Sequence, residues 1–194
     1  YRPDTMCGLF RDEKVTHSAG VPTVWLTMID HIVRTGEELG DLKYVTIGGS
    51  AAPRAMINWL RSKGLEVTHA WGMTETSPAG ISPPPGPNRK PGTIGFPLPG
   101  IVAQIVSVDD PRKVLGANEI GELRVSGPNI MRGYWNRPDD TAASLVDGFF
   151  LTGDIGYFDD DGYFFIVDRK KDMIISGGFN VYAADIAVLV LKDP

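Results

Sequence analysis

The sequence predicts a mixed fold of class α/β plus β, in which a parallel βαβ sheet portion leads into a small antiparallel barrel-like subdomain and the start of a small C-terminal α+β domain. Three observations predict it. Helix and strand patterns alternate over roughly the first 80 positions, a segment dense in proline and glycine then interrupts them, and short strand patterns with turn signals follow. The pattern divides the chain into an α/β part at 1–82, a β-rich barrel-like subdomain at 83–167 and a final segment at 168–194.

Asp4 to Lys14 reads as a helix behind Pro3, and Val15 to Ala19 as a short strand. Pro22 to Thr35 is a second helix closed by Gly36. Strand-like Leu42 to Ile47, a helix from Pro53 to Lys63 stopped by Gly64, and strand-like Leu65 to His69 complete the alternation. This rhythm implies parallel strands joined by helical crossovers. Pro78 to Gly100 then holds 8 of the 15 prolines and 5 glycines, which predicts a loop or domain joint without regular structure. Beyond it, Ile101 to Val108, Glu119 to Val125 and Phe149 to Thr152 read as strands, and Gly156 to Val167 as a hairpin turning on Asp159 to Gly162. The charged run Asp168 to Asp172 breaks the pattern. Met173 to Tyr182 is a further short hairpin, and an apolar helix begins at Ala184.

The chain has 194 residues, with 19 Lys plus Arg against 24 Asp plus Glu, and a net charge of −5. That balance, with no basic run, argues against a nucleic-acid partner held by phosphate neutralisation. Cys7 is the single cysteine and cannot pair within the chain, so a cytoplasmic, reducing setting is expected. The longest purely apolar run, Ile186 to Leu191, is far short of the 18 or so residues that a membrane span needs.

Two loops directly follow predicted parallel strands: Gly48, Gly49, Ser50, Ala51, Ala52, Pro53, and then Ala70, Trp71, Gly72, Met73, Thr74, Glu75, Thr76. Ligands of open parallel sheets bind at the carboxyl ends of strands, so the two loops suggest one shared site. Small residues admit a flat group close to the backbone. Trp71 offers a stacking surface, Thr74 a hydroxyl for a phosphate oxygen, and Glu75 a hard carboxylate for Mg²⁺. The same residues equally fit a tight strand-to-helix turn with Pro53 at the first helical position and Trp71 in the core. A serine-hydrolase reading of Ser50 lacks the final glycine of the nucleophile elbow, where Ala52 stands. A phosphate-binding P-loop, zinc-type Cys/His spacing and an EF-hand are absent. Asp154, at the end of a strand, can accept two hydroxyl hydrogen bonds from a ribose.

Taken in order, AWGMTET, GELRVSGPNIMRGYW and DGFFLTGDIGYFDDDGYFFIVDRKKDMIISGGFNVY resemble consecutive signatures of the adenylate-forming superfamily of acyl-CoA synthetases, luciferases and peptide-synthetase adenylation domains. HSAGVPTVW, GGSAAPRAMI and HAWGMTETSP look most like its medium- and long-chain fatty-acyl-CoA ligase branch. The resemblance implies ATP or AMP, Mg²⁺ and coenzyme A as ligands and a carboxylic acid, a fatty acid by this branch, as substrate. A homodimer is compatible with it. It further implies that 1–82 is part of a large N-terminal domain and that 168–194 is a hinge with a truncated start of the C-terminal domain. By the same resemblance Ser50 to Pro53, Ala70 and Trp71, with Gly72 and Met73 following, would line the adenine site. Thr74 would bind the α-phosphate and Glu75 would hold Mg²⁺. Asp154 would bind the ribose, Ile166 would pack near the nucleoside, and Arg169 would reach ribose or phosphate. Lys171 would lie on the hinge of the C-terminal domain, and Gly177 and Gly178 would border the pantetheine channel. Trp25 matches an aromatic position at the acyl tunnel and fits a buried helix residue equally well.

The resemblance also has departures. The superfamily's Ser/Thr/Gly-rich phosphate loop and its C-terminal catalytic lysine are absent, and Ala183, Asp185 and Ala187 stand where relatives carry an x-E-I-E pattern. The expectation is an internal piece of a larger fatty-acyl-CoA ligase, inactive alone. The alternatives are a noncatalytic nucleotide- or acyl-binding module and a ligase for an aryl or other carboxylic acid.

Overall fold

A computed structural model describes residues 2–50, 52–84, 90, 92–176 and 179–181. The predicted alternation forms as α1 (Pro3–Asp12), β1 (His17–Gly20), α2 (Pro22–Thr35), β2 (Tyr44–Ile47), α3 (Arg54–Ser62) and β3 (Glu66–His69). The three strands make a parallel sheet in the order β1-β2-β3. Proline at the first turn starts α1 and α2, where its missing N–H costs nothing, and Gly36 ends α2 in the left-handed region at φ 75°. The helices bury Cys7, Phe10, Trp25, Met28, Ile32, Met56 and Leu60 against Val45, Ile47 and Val67 of the sheet. One detail differs from expectation: Pro53 is the residue before α3, not its first helical residue.

The second half is a five-stranded antiparallel sheet. It comprises β6 (Val102–Val106), β7 (Gly121–Ser126), β9 (Phe149–Phe158) and β10 (Phe164–Arg169) in the order β10-β9-β7-β6, with β8 (Leu145–Val146) paired to β9. Its core joins Ile105, Leu123, Val125, Phe150 and Phe164 to Trp71, Ile81 and Ile94 from the preceding loops. The parallel sheet followed by an antiparallel one matches the fold class the sequence predicts.

Three expectations need correction. The proline-rich stretch is not free of regular structure, because β4 (Ile81–Ser82) pairs antiparallel with β5 (Phe96–Pro97). Among its described prolines only Pro97 lies in this two-residue ladder, where few donors are needed. The strand at Phe149 does not stop at Thr152 but runs ten residues. A short helix, α4 (Pro138–Ser144), was not expected; it starts on Pro138 and places Asp139 and Asp140 in its first turn, where they favour the helix dipole. The backbones of β11 (Ile174–Ser176) and β12 (Phe179–Val181) pair as the expected hairpin. Ala51, Gly177, Gly178 and the apolar segment from Ala184 lie outside the described residues. Among the described residues no helix is long and apolar enough to cross a membrane.

Candidate functional site

After β3 the chain bends sharply. Trp71 pairs with Ile81, its N–H donating to the Ile81 carbonyl at 2.8 Å and its own carbonyl accepting from Ile81 at 3.1 Å. The loop between them folds back so tightly that a Cβ on Gly72 would stand 1.5 Å from the Pro78 carbonyl oxygen. Only glycine fits there. Thr74–Thr76 forms one 3₁₀ turn at the tip, braced by buried Thr76. The Thr76 hydroxyl accepts from the Met73 N–H at 2.9 Å and donates to the Met73 carbonyl at 3.0 Å. Thr74 is exposed and Glu75 half-buried.

A second segment, residues 129–134, supports this turn. The Asn129 side-chain amide donates to the carbonyls of Thr76 at 2.7 Å and Ala79 at 2.5 Å, while the main-chain carbonyl of Asn129 accepts from the Ser77 hydroxyl at 2.9 Å. The Met131 N–H donates to the Glu75 carbonyl at 2.9 Å, and the Tyr134 hydroxyl donates to the Glu75 carboxylate at 3.0 Å. Partial burial and the adjacent Glu75 carboxylate raise the Tyr134 pKa above its ordinary value, so the phenol stays a donor. Asn129 and Tyr134 lie within the GELRVSGPNIMRGYW motif, yet the sequence alone assigns them no role. Their contact with Glu75 and its neighbours spans 50 residues or more and leaves no local signal.

Asp154 is aimed by an irregularity in the sheet. Between the pairs Glu122↔Ile155 and Arg124↔Leu151, two steps of β7 face four of β9, so Thr152, Gly153 and Asp154 form a bulge. Gly153 accepts this at φ 70°. The Thr152 hydroxyl bonds the Leu123 carbonyl at 2.7 Å and the Asp154 N–H at 3.1 Å; the Gly153 N–H donates to buried Glu122 at 3.1 Å. Asp154, only 6% exposed, receives the Trp71 indole N–H on one oxygen at 2.7 Å and the Arg169 guanidinium on the other at 2.5 Å. Both partners offset the cost of burying the carboxylate. Next to Arg169, Lys170 reaches Glu122 at 2.7 Å, and exposed Lys171 lies in the 3₁₀ turn Lys170–Asp172.

The structure thus brings Trp71, Asp154 and Arg169 into direct contact, with Met73 and Ile166 packed on the same core. The Trp71 ring is 9% exposed and lies against Gly80, whose added Cβ would be 2.5 Å from it, so most of the ring is committed to packing. Ser50 and Pro53 are exposed and Ala52 half-buried at the other loop. His69 Nε2 donates to the Ser50 carbonyl oxygen at 3.1 Å rather than engaging its hydroxyl, which is not the arrangement of a nucleophile and its base. Trp25 stands apart from these groups, 2% exposed in the helix-and-sheet core, its indole nitrogen without a hydrogen-bond partner among the described residues.

A site made of a hydroxyl and a carboxylate on one tight turn, and a buried carboxylate paired to an indole and an arginine, suits a nucleotide and a divalent cation. Comparison with known families matches the AMP-binding enzyme model over residues 1–135. The chain belongs to the AMP-binding enzyme family. This family member is 38% identical over 182 residues to the 2-succinylbenzoate–CoA ligase of Geobacillus kaustophilus, a match covering 90% of this chain and 36% of that relative. It is 37% identical over 174 residues to the long-chain-fatty-acid–CoA ligase of Bacillus subtilis, covering 89% and 31%. Among solved structures, ATP-bound MatB from Rhodopseudomonas palustris superposes with a TM-score of 0.87 at 34% identity, covering all of this chain and 38% of that one. O-succinylbenzoate coenzyme A synthetase from Bacillus subtilis, in complex with ATP and magnesium ion, gives 0.85 at 31%, covering 100% and 40%. The AMP-binding chain therefore spans between 31% and 40% of these relatives' lengths.

Proposed function

We propose that this chain carries part of the nucleotide site of an ATP-dependent acyl-CoA ligase acting on a fatty acid. The observation that carries this reading is the Trp71–Asp154–Arg169 linkage beside the Thr74–Glu75 turn, in a member of the AMP-binding family. In the first half-reaction a substrate carboxylate attacks the α-phosphate of ATP in line and pyrophosphate leaves; in the second the coenzyme A thiol attacks the acyl adenylate and AMP leaves. Charge builds on the phosphate oxygens, and the exposed Thr74 hydroxyl is assigned to donate to one of them.

The half-buried Glu75 carboxylate, its remaining lone pairs facing away from Tyr134, has the oxygen chemistry that Mg²⁺ takes. Mg²⁺ held there would neutralise part of the phosphate charge. Asp154 keeps lone pairs beyond those given to Trp71 and Arg169, enough to accept ribose hydroxyls. Ser50 to Pro53, Ala70 and Gly72 supply small surfaces for the adenine. Lys171, in an exposed turn beside anchored Lys170, is assigned to a hinge that lets one site present different faces to the two steps. Trp25 is assigned to the acyl side.

Two relatives named long-chain-fatty-acid–CoA ligases, at 37% and 36% identity, support a fatty acid. An aryl acid is the second reading, favoured by relatives named for 2-succinylbenzoate, feruloyl and indoleacetate substrates. ATP–pyrophosphate exchange with the full protein over a panel of fatty and aryl acids tests both. Exchange with fatty acids that disappears in Glu75→Gln supports the proposal; no exchange with any acid in the presence of Mg²⁺ overturns it in favour of a noncatalytic binding module.

A further inference from the structure

The proposed chemistry leaves one buried nucleophile unused. Cys7 on α1 is 1% exposed, and it meets His31, on the last turns of α2, and Glu37, just past that helix's glycine cap. One donor atom from each residue, the Cys7 Sγ, a His31 ring nitrogen and a Glu37 carboxylate oxygen, lies within 4.8 Å of the other two. His31 Nε2 is 3.1 Å from Glu37 Oε2, and their side chains are 15% and 38% exposed.

The cluster is positioned from outside. The Thr35 hydroxyl donates to the His31 carbonyl at 2.9 Å and accepts the Glu37 N–H at 3.3 Å, fixing the turn between the two ligands. Gly40, at φ 59°, then presses the following loop onto α1 so closely that a Cβ would be 2.9 Å from the Arg11 Cα. Leu39 packs into the same core. Three donors from three places in the chain are thus held on a preformed wall.

We propose that Cys7, His31 and Glu37 form a zinc site that ties α1 to the end of α2. A tetrahedral zinc ion with bonds of about 2.0–2.3 Å needs its donors between about 3.3 and 3.8 Å apart, a contraction of about an ångström from the widest separation allowed here. The sulfur, nitrogen and oxygen set suits Zn²⁺ and not Mg²⁺ or Ca²⁺, which take oxygen ligands alone. Glu37 stands on the open side, so an ion enters there and a water completes the fourth position. On binding, the thiol proton is released to solvent as the sulfur–zinc bond forms, and the Nε2 proton that faces Glu37 gives way to the tautomer protonated on the other ring nitrogen, which leaves the Nε2 lone pair for the ion. Burial first, then the Glu37 carboxylate, pushes the metal-free Cys7 thiol up to about 11; nearby Arg11 opposes this and Asp4 adds to it. Spacing rules miss such a site because its ligands come from separate elements rather than a short Cys/His motif.

Co²⁺ titration of the purified chain reads the site directly, since Cys7 is its single cysteine and the only source of a thiolate-to-cobalt charge-transfer band. The expected result is a band saturating at one equivalent, displaced by Zn²⁺, abolished in Cys7→Ser, and requiring about tenfold or more metal in Glu37→Gln. Glu37 is partly exposed, so that variant keeps the fold if Cys7→Ser does not. Zn²⁺ also slows alkylation of wild-type Cys7 by about tenfold or more. No charge-transfer band in the wild type, or a band unchanged in Glu37→Gln together with alkylation indifferent to Zn²⁺, overturns the proposal. None of these readouts depends on ligase activity.

Discussion

The indole N–H of Trp71 donates to the buried carboxylate of Asp154 at 2.7 Å, across 83 residues of sequence. This bond joins the loop after the parallel sheet to a bulge in the antiparallel one. It fixes where the Asp154 carboxylate points before any ligand arrives.

Trp71→Phe keeps an aromatic ring but removes that donor, leaving one oxygen of a 6%-exposed carboxylate without its partner. A buried acceptor stranded in this way costs about 1–3 kcal/mol. The variant is expected to unfold at lower denaturant in a urea titration by about that amount, and to bind AMP more weakly by calorimetry. Trp71→Phe with wild-type stability and wild-type AMP affinity would remove this bond from the site.

Gly72 tests the tight turn that carries Thr74 and Glu75. A methyl at this position meets the Pro78 carbonyl oxygen at 1.5 Å, a backbone atom that cannot swing aside. Gly72→Ala must therefore displace the whole loop. Its stability loss, by denaturant titration, is expected above about 2 kcal/mol, in the range of buried overpacking. Gly36→Ala provides the contrast: a Cβ there meets nothing within 4 Å, so that variant pays only for φ 75°, about 1 kcal/mol.

These two glycines also show what could be read from the sequence. Gly36 closing α2 was legible, because a helix pattern followed by glycine is a local signal with a local cause. Gly72 stood in a loop expected to bind ligand, but its close approach to Pro78 depends on Trp71 pairing with Ile81, a bridge across ten residues of unpatterned chain. The sequence pattern ends the strand of β9 at Thr152. It continues because the register with β7 absorbs the bulge. Asp154 was singled out as a carboxylate, yet its partners lie on other strands and loops, where spacing carries no information.

Tyr134→Phe isolates the support of Glu75. The phenol donates to the carboxylate at 3.0 Å from a partly exposed position, so the stability effect is small, about 0.5 kcal/mol. Because the Tyr134 pKa is raised in the folded state, this contribution is complete below pH 10, the ordinary tyrosine value, and is lost as pH rises through the folded value. With the proposed ligase, Tyr134→Phe is expected to raise the Mg²⁺ concentration needed for half-maximal exchange by a fewfold, about 2–5 times, while leaving the requirement for acid unchanged. An equal shift in both requirements would assign Tyr134 to general folding rather than to Glu75.

Lys90 links the proline-rich segment to the tip of the β9–β10 hairpin. Its ammonium bonds Asp159, also reaches Asp161 at 2.9 Å, and lies 5.4 Å from the centre of the Tyr163 ring. The bond to Lys90 lowers the Asp159 pKa below its ordinary 3.8, and the two aspartates raise that of Lys90 above its ordinary 10.5. A depressed carboxylate contributes stability above 3.8 that disappears as pH falls through the folded value; a raised lysine contributes below 10.5 and loses it as pH climbs through its own. Between those limits the wild type is expected to melt above Lys90→Gln by a constant margin. The gap should close in acid below 3.8 and again in base above 10.5, and it should narrow with added salt because the pair faces solvent. Melting curves across pH for the two proteins check this. A gap that persisted unchanged at pH 2 would show that Lys90 acts through its packing on Tyr163 rather than through its charge.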